Sequence, residues 1–360
     1  MRPQWQAEAS VHCPDGRPGD PAAYSGKDSF TFVRLRLCDP DGVEGNGVTG
    51  RFLAPEVAHF LNRVLPDALN GASDDPVSDL SRCHNPRAMG GVAVSALSAF
   101  DIALTDIRAK RAGVSVATLL GGARASAPVH ITCGFPELDI DALARTCAHE
   151  VETGAKGVKV LISARGRSVA EDLVRLKAVR EAIGPGAELI ADANCRMGRD
   201  DALEFVRGAH DLNLTWLEEP VNGNDRILLG ELATHGIALG AGQMEQSADR
   251  FALLAEAGVQ VIQPNAVFAG GFGAAIDAAR AATAQRASVS PAGGWDIINL
   301  HWMCGAFDAG AIELHRAQTR IVRMLMPGGL TVSGGQIAVP DVPGLGLLPD
   351  EAALAECRVG

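Results

Sequence analysis

The chain predicts an α/β protein in which a closed barrel of parallel strands follows a smaller α+β domain. Three observations carry this. From about residue 128, short apolar strand candidates alternate with amphipathic helices at intervals of roughly 25 to 30 residues, the rhythm of βαβ units. Many of the helices stop at glycine, as in EAIGPG, ATHG and AEAG, where a left-handed residue ends a helix at little cost. Three successive strand segments also end in polar oxygens: Asp192 in ELIADAN, Glu218 in LTWLEEP and Gln243 in IALGAGQ. Side chains at the ends of neighbouring barrel strands converge, and a hard cation is the usual reason for gathering oxygens.

The elements follow in order. In the first 127 or so residues, SFTFVRLRLCDPDGVEG reads as a hairpin turning at DPDG, because an alternating strand meets residues that favour a tight turn. VAVSALSAFDIALTDIRAKRAG is helical and LLGG closes this α+β domain. Residues 128–330 form the barrel, with strands in VHITC, GVKVLI, ELIADAN, LTWLEEP, IALGAG, VQVIQP, ASVSP and AIELH. Helices fall in AEDLVRLKAVREAIG, DDALEFVRGAH, RFALLAEAG and AAIDAARAATAQR. Eight strands with few long loops favour closure over an open doubly wound sheet. Residues 331–360, with VSGGQIAVPDVPGLGL, read as an extended segment returning to the first domain.

Working residues of such a barrel sit where strands end and the following loops begin. That rule selects Lys159 and Leu161 on strand two, Asp192 and Asn194 on strand three, and Glu218 and Glu219 on strand four. Gln243, Asn265, Ala292 and Glu313 follow on strands five to eight. Neighbouring strand residues point oppositely, so Glu219 is expected to support the site from behind while Glu218 faces it.

Composition sets the outer limits. Hydrophobic residues make up 47% and charged residues 21%, which fits a soluble globular chain with an ample core. A net charge of -11 argues against nucleic acid and anionic membranes as partners. No apolar stretch approaches about 18 residues, so no membrane span is expected, and MRPQWQAEAS has no signal-peptide pattern. The eight cysteines are scattered without a CxxC, as expected of reduced thiols in the cytoplasm. A homo-oligomer is expected, since symmetric self-association is common among such chains.

At these residues the chain resembles the mandelate racemase subgroup of the enolase superfamily. SALSAFDIALTDIRAKRAGVSVATLLGG is similar to the last capping-domain helix and the linker into the barrel. GAKGVKVLI resembles the lysine-bearing second strand, IADAN and WLEEP the first two metal-ligand strands, and PNAVFAGGFG the sixth. The resemblance implies a (β/α)7β TIM-like barrel with a capping domain built from both termini. It also implies one Mg2+ and a reaction that removes the proton next to a carboxylate through a metal-stabilised enediolate. Such a carbon acid yields its proton only when charge developing on the carboxylate is neutralised.

Carried over residue by residue, the resemblance makes Asp192 and Glu218 metal ligands. Gln243 stands where a third carboxylate is usual; its amide oxygen is a neutral, weaker donor, and Glu245 is the alternative. The usual Lys-x-Lys reads Lys159-Val160-Leu161, so the second lysine is missing. Lys159 remains, either to hold the substrate carboxylate or to act as a base with a depressed pKa. Asn265 and Ala292 stand where an aspartate–histidine pair is usual, and Asn265 becomes a substrate contact. His301, in NLHW, is expected to be structural. Glu313 is retained and would donate a hydrogen bond to the substrate carboxylate. Asn194 either contacts substrate or makes a turn, and Lys27, with Tyr24, Gly26, Arg51 and Arg87, is a candidate specificity residue. The glycines of GGFG are read as turn geometry and not as a phosphate cradle.

The expected activity is a hydro-lyase acting on a sugar acid or similar hydroxy acid. Loss of a β-hydroxyl needs one acid, whereas racemisation needs a base on each face. The alternatives are a racemase or epimerase, and a catalytically impaired homologue with a binding role, to which the departures at Leu161, Gln243, Asn265 and Ala292 point.

Overall fold

The computed structural model describes residues 4–14, 30–50, 52–70 and 90–359. Three strands open the chain: β1 (Gln6–His12), β2 (Phe32–Cys38) and β3 (Glu44–Gly50). The expected hairpin is β2–β3, paired from Phe32↔Gly50 to Cys38↔Glu44. Its turn is held by the Asp39 carboxylate, which accepts from the amides of Asp41 and Val43, both at 2.9 Å. The strand β1 was not anticipated.

The helix Val92–Ala112 follows and ends at Gly113, whose φ of 69° is the left-handed stop the sequence predicts. This helix lies directly on β3. A Cβ placed on Gly47 would come within 1.8 Å of the Ala99 carbonyl oxygen, and one on Gly45 within 2.2 Å of that of Ala103. Glycine at both positions lets the sheet backbone meet the helix backbone.

The barrel strands are β4 (Ser126–Gly134), β5 (Gly157–Leu161), β6 (Glu188–Asp192), β7 (Trp216–Glu218), β8 (Leu239–Ala241), β9 (Val261–Ile262), β10 (Ser288–Val289) and β11 (Ile312–His315). Each expected strand segment overlaps one of them. Neighbours from β4 to β10 pair in parallel in chain order, and β11 returns to pair in parallel with β4. Between β10 and β11, Ser290 Oγ donates to the Ala311 carbonyl at 3.2 Å. Helices including Val169–Ile183, Arg199–Gly208, Ala248–Glu256 and Phe272–Ala284 alternate with the strands. Ser168 and Glu171 cap the first of these reciprocally, each bonding the other's backbone N–H.

The tail adds β12 (Val332–Ser333), β13 (Gln336–Ala338) and β14 (Arg358–Val359). β13 pairs antiparallel with the start of β4, and β14 pairs antiparallel with β1, which extends the first sheet to β14-β1-β2-β3. Arg34 of β2 binds both carboxylate oxygens of Glu351, at 2.9 and 2.7 Å, next to this junction.

His301 is structural, as expected. Its Nδ1 accepts from the Ala117 amide and its Nε2 lies against the Leu345 carbonyl, both at 3.1 Å. One buried ring thus joins a barrel helix, the linker and the tail. The GGFG segment is also structural. The Gly270 amide donates to Ser98 Oγ at 2.9 Å and the Phe272 amide to Asp101 Oδ2 at 2.7 Å, so these donors serve helix Val92–Ala112. Among the described residues, no helix is long and apolar enough to cross a membrane, and the seven described cysteines are free thiols.

Candidate active site

A cavity of about 320 Å³ opens at the C-terminal ends of the barrel strands. Lys159, Leu161, Asp192, Asn194, Glu219, Gln243, Glu313 and His315 line it from the barrel, and Phe30, Thr31 and Phe52 from the capping side. Strand register explains the grouping. Leu161, Asp192 and Glu218 are direct partners across β5, β6 and β7, so they form one inward layer, with Lys159 one layer deeper beside Ile190.

Lys159 is the centre of the charge cluster. Its ammonium donates to Glu218 Oε1 at 2.5 Å and to Glu313 Oε2 at 2.9 Å, and lies 3.9 Å from Asp192 Oδ2. Burial pushes the Lys159 pKa down, but the charges of Glu218, Glu313 and Asp192 outweigh this and raise it above the ordinary lysine value. Among these three carboxylates the ammonium form of Lys159 is favoured.

Each carboxylate around it is held differently. Glu218 accepts at its other oxygen from Trp216 Nε1 at 3.1 Å and Gln263 Nε2 at 2.8 Å. Glu313 accepts from Thr132 Oγ1 and from the Gly293 amide, the latter at 2.6 Å. Burial alone would raise the Glu313 pKa, yet Lys159 and then His315 bring it to about 2. In this arrangement Glu313 accepts from all three of its partners, Thr132, Lys159 and Gly293. Asp192 is pushed well above the usual range by burial and then by the Glu218 charge, and Glu219 is raised by the same two causes.

Glu219 lines the cavity, against the expectation from strand alternation. Its φ of 40° takes the backbone out of the strand, so the period of two ends at Glu218 and the side chain turns inward. Its Oε1 accepts from the backbone N–H of Gln243 at 3.2 Å. The Gln243 side chain covers Gly293, where an added Cβ would meet its Nε2 at 2.1 Å. Glu245 turns away, paired with Arg250 at 2.9 Å and accepting from Asn224 at 3.3 Å.

Asn194 makes the expected turn: it has a left-handed φ of 48° and donates its backbone amide to Asp192 Oδ1 at 2.8 Å, and it also lines the cavity. Asn265 does not reach the cavity. It is fully buried, donating to the Ala292 carbonyl at 2.6 Å and accepting from the Val267 amide at 3.2 Å, so both ends of its amide hold backbone. That corrects its expected contact with substrate. Lys27, Tyr24, Gly26, Arg51 and Arg87 lie outside the described residues.

Among the cavity residues that went unnoticed in the sequence are His315 and Phe52. His315 stands two residues beyond Glu313 in AIELH, so the alternation that selects Glu313 also selects it. Phe52 pairs with Phe268, ring centroids 6.2 Å apart, in a wall between cap and barrel that no local pattern announces.

Asp192, Glu218, Glu219 and Glu313 are all at least nine-tenths buried around the one buried ammonium of Lys159. Such an excess of negative charge is costly without a further cation. The oxygens of Asp192, Glu218, Glu219 and Gln243 are the hard donors that magnesium takes. Among the described residues, no three His, Cys, Asp or Glu side chains form a ready cage, because one position is an amide and Glu218 is turned to Lys159. The donor chemistry and the charge balance both fit a divalent cation.

Comparison with known proteins agrees with this geometry. Residues 13–121 match the family described as Mandelate racemase / muconate lactonizing enzyme, N-terminal domain, and residues 142–353 match Enolase C-terminal domain-like. The chain is 30% identical over 265 residues to arabinonate dehydratase of Saccharolobus solfataricus, covering 71% of this chain and 70% of that one. It is 26% identical over 341 residues to 3,6-anhydro-alpha-L-galactonate cycloisomerase of Streptomyces coelicolor, covering 92% of each. The crystal structure of L-talarate dehydratase from Polaromonas sp. JS666, complexed with Mg and L-glucarate, shares the fold with a TM-score of 0.86 at 24% identity, covering 99% of this chain and 97% of that one.

Proposed function

The chain belongs to the mandelate racemase / muconate lactonizing enzyme family of the enolase superfamily, and from that premise we propose that it is a magnesium-dependent hydro-lyase that dehydrates a sugar acid. The observation that carries this is the Lys159 ammonium, fixed between Glu218 and Glu313 on the floor of a cavity edged by further carboxylates. The relative arabinonate dehydratase supports the same class of substrate.

Asp192, Glu218 and Gln243 would hold the metal, and Glu219 lines the same cavity. Bound there, magnesium supplies the positive charge that makes the proton next to a carboxylate acidic. Lys159 receives the substrate carboxylate as a second cation, and Glu313 holds Lys159 and the Gly293 loop in place for it. Asn194 and Lys27 are the proposed substrate contacts. The absence of a proton-carrying side chain at Ala292 favours loss of a hydroxyl over return of a proton to the opposite face. The protein acts on small carboxylates in the cytoplasm as a homo-oligomer, without nucleic acid or membrane partners. Its cap and barrel divide near residues 127 and 330.

A panel of aldonic and aldaric acids, assayed with magnesium for 2-oxo acid product, tests the activity. At least one acid should turn over, and Lys159→Ala should abolish turnover. A folded protein that binds no magnesium by calorimetry and dehydrates no acid would instead favour a binding role.

A further inference from the structure

We propose that His315 is the catalytic residue that carries the proton in this dehydration, a role that rests on the reading above. His315 is the last residue of β11, on the same face as Glu313 and one step nearer the mouth, and it lines the same cavity as Lys159 and Asp192. Other groups along the same wall serve otherwise. Lys159 is bonded to two carboxylates, Glu313 accepts from Thr132, Lys159 and Gly293, and Leu161 presents only hydrocarbon.

The surroundings of His315 fix where its ring stands. The ring of Phe30 lies edge-on at 5.4 Å between centroids, and that of Phe135 lies tilted at 5.6 Å. Its backbone amide points to Asp296 Oδ1 at 3.4 Å, at the start of the helix that follows β10. Aromatic walls leave a half-buried imidazole few orientations, which is the preorganisation that proton transfer needs.

The step balances on one imidazole. Neutral His315 takes the α-proton, and the C–H electron pair becomes the double bond between the α and β carbons as the β C–O bond breaks. The imidazolium returns the same proton to the departing hydroxyl, which leaves as water. The product is the enol of a 2-oxo acid, which tautomerises in solution, and His315 is neutral again. No oxidant or second acid is required.

The test uses the full chain with magnesium and a panel that includes D-gluconate and D-galactarate. His315→Gln should lose about 100-fold or more in kcat, the usual weight of general acid–base catalysis, with KM changed by less than about threefold. A primary isotope effect on kcat with a 2-deuterated panel acid should accompany this step in the unmodified enzyme. In parallel, the imidazole resonances of His315 in the unmodified enzyme, assigned by their loss in His315→Gln, should shift when magnesium and a panel acid are added. A variant that keeps more than a tenth of kcat on an acid the enzyme turns over overturns the proposal. So does a His315 resonance that no panel acid moves. With no acid turned over, the dehydration reading falls by itself, while a shifted His315 resonance would still uphold its contact with the acid.

Discussion

Asn265 donates to the Ala292 carbonyl at 2.6 Å. The side chain after strand six and the backbone after strand seven are therefore tied directly, without a histidine between them. This bond turns the loss of a familiar acid–base pair into a loop brace. Asn265→Asp would set a carboxylate oxygen against that carbonyl, leaving a buried acceptor facing another. The expected cost is about 2 kcal/mol, read as a lower denaturant midpoint at unchanged slope. Unchanged stability would show that the brace holds nothing.

Gln243→Glu adds a charge to a site already rich in carboxylates. Magnesium affinity by calorimetry should rise by about tenfold, equivalent to about 1.4 kcal/mol. The metal-free protein should melt earlier than the parent, because the new carboxylate joins a cavity already lined by Asp192, Glu219 and Glu313. Equal magnesium affinity in the two proteins would remove Gln243 from the proposed ligand set.

Two glycine substitutions separate close contact from backbone conformation. Gly47→Ala meets the Ala99 carbonyl at 1.8 Å and should cost about 3 kcal/mol or more. Gly42→Ala meets nothing within 4 Å but keeps a φ of 85°, and should cost about 1 kcal/mol. Thermal melts of the two variants rank them, and the reverse order would contradict the packing of β3 on its helix.

His301 predicts a pH dependence of stability. Burial outweighs the Leu345 hydrogen bond and brings its pKa from 6.5 down to about 4. The folded value lies below the unfolded one, so unfolding takes up a proton between them. The stability from the neutral ring is complete above pH 6.5 and is lost as pH falls toward 4, about 3 kcal/mol in all. His301→Gln should be less stable at neutral pH but flatter through that window in urea titrations. Parallel curves for variant and parent would sink this assignment.

Much of the architecture was legible because it depends on local patterns. The barrel strands and the glycine at the end of Val92–Ala112 follow from hydrophobic period and helix stops. Position along a strand likewise selects Asp192, Glu218 and Glu313. What escaped depends on distant segments or broken periodicity. Glu219 departs from the strand by a single dihedral angle, and Asn265 is drawn away by a carbonyl on the next loop. The raised pKa of Lys159 needs three carboxylates from three strands, and β1 finds its partners in β2 and β14. Glu313 was chosen by alternation and His315 missed, although one rule covers both.

The pairing of Val11 with Val359 also bears on how this protein is made. A ribosome releases β1 long before β14 exists, so one flank of the first sheet stays open while nearly the whole barrel is being synthesised. An open strand flank invites pairing with other chains. The nascent protein thus passes through a period in which the β1 edge waits for β14.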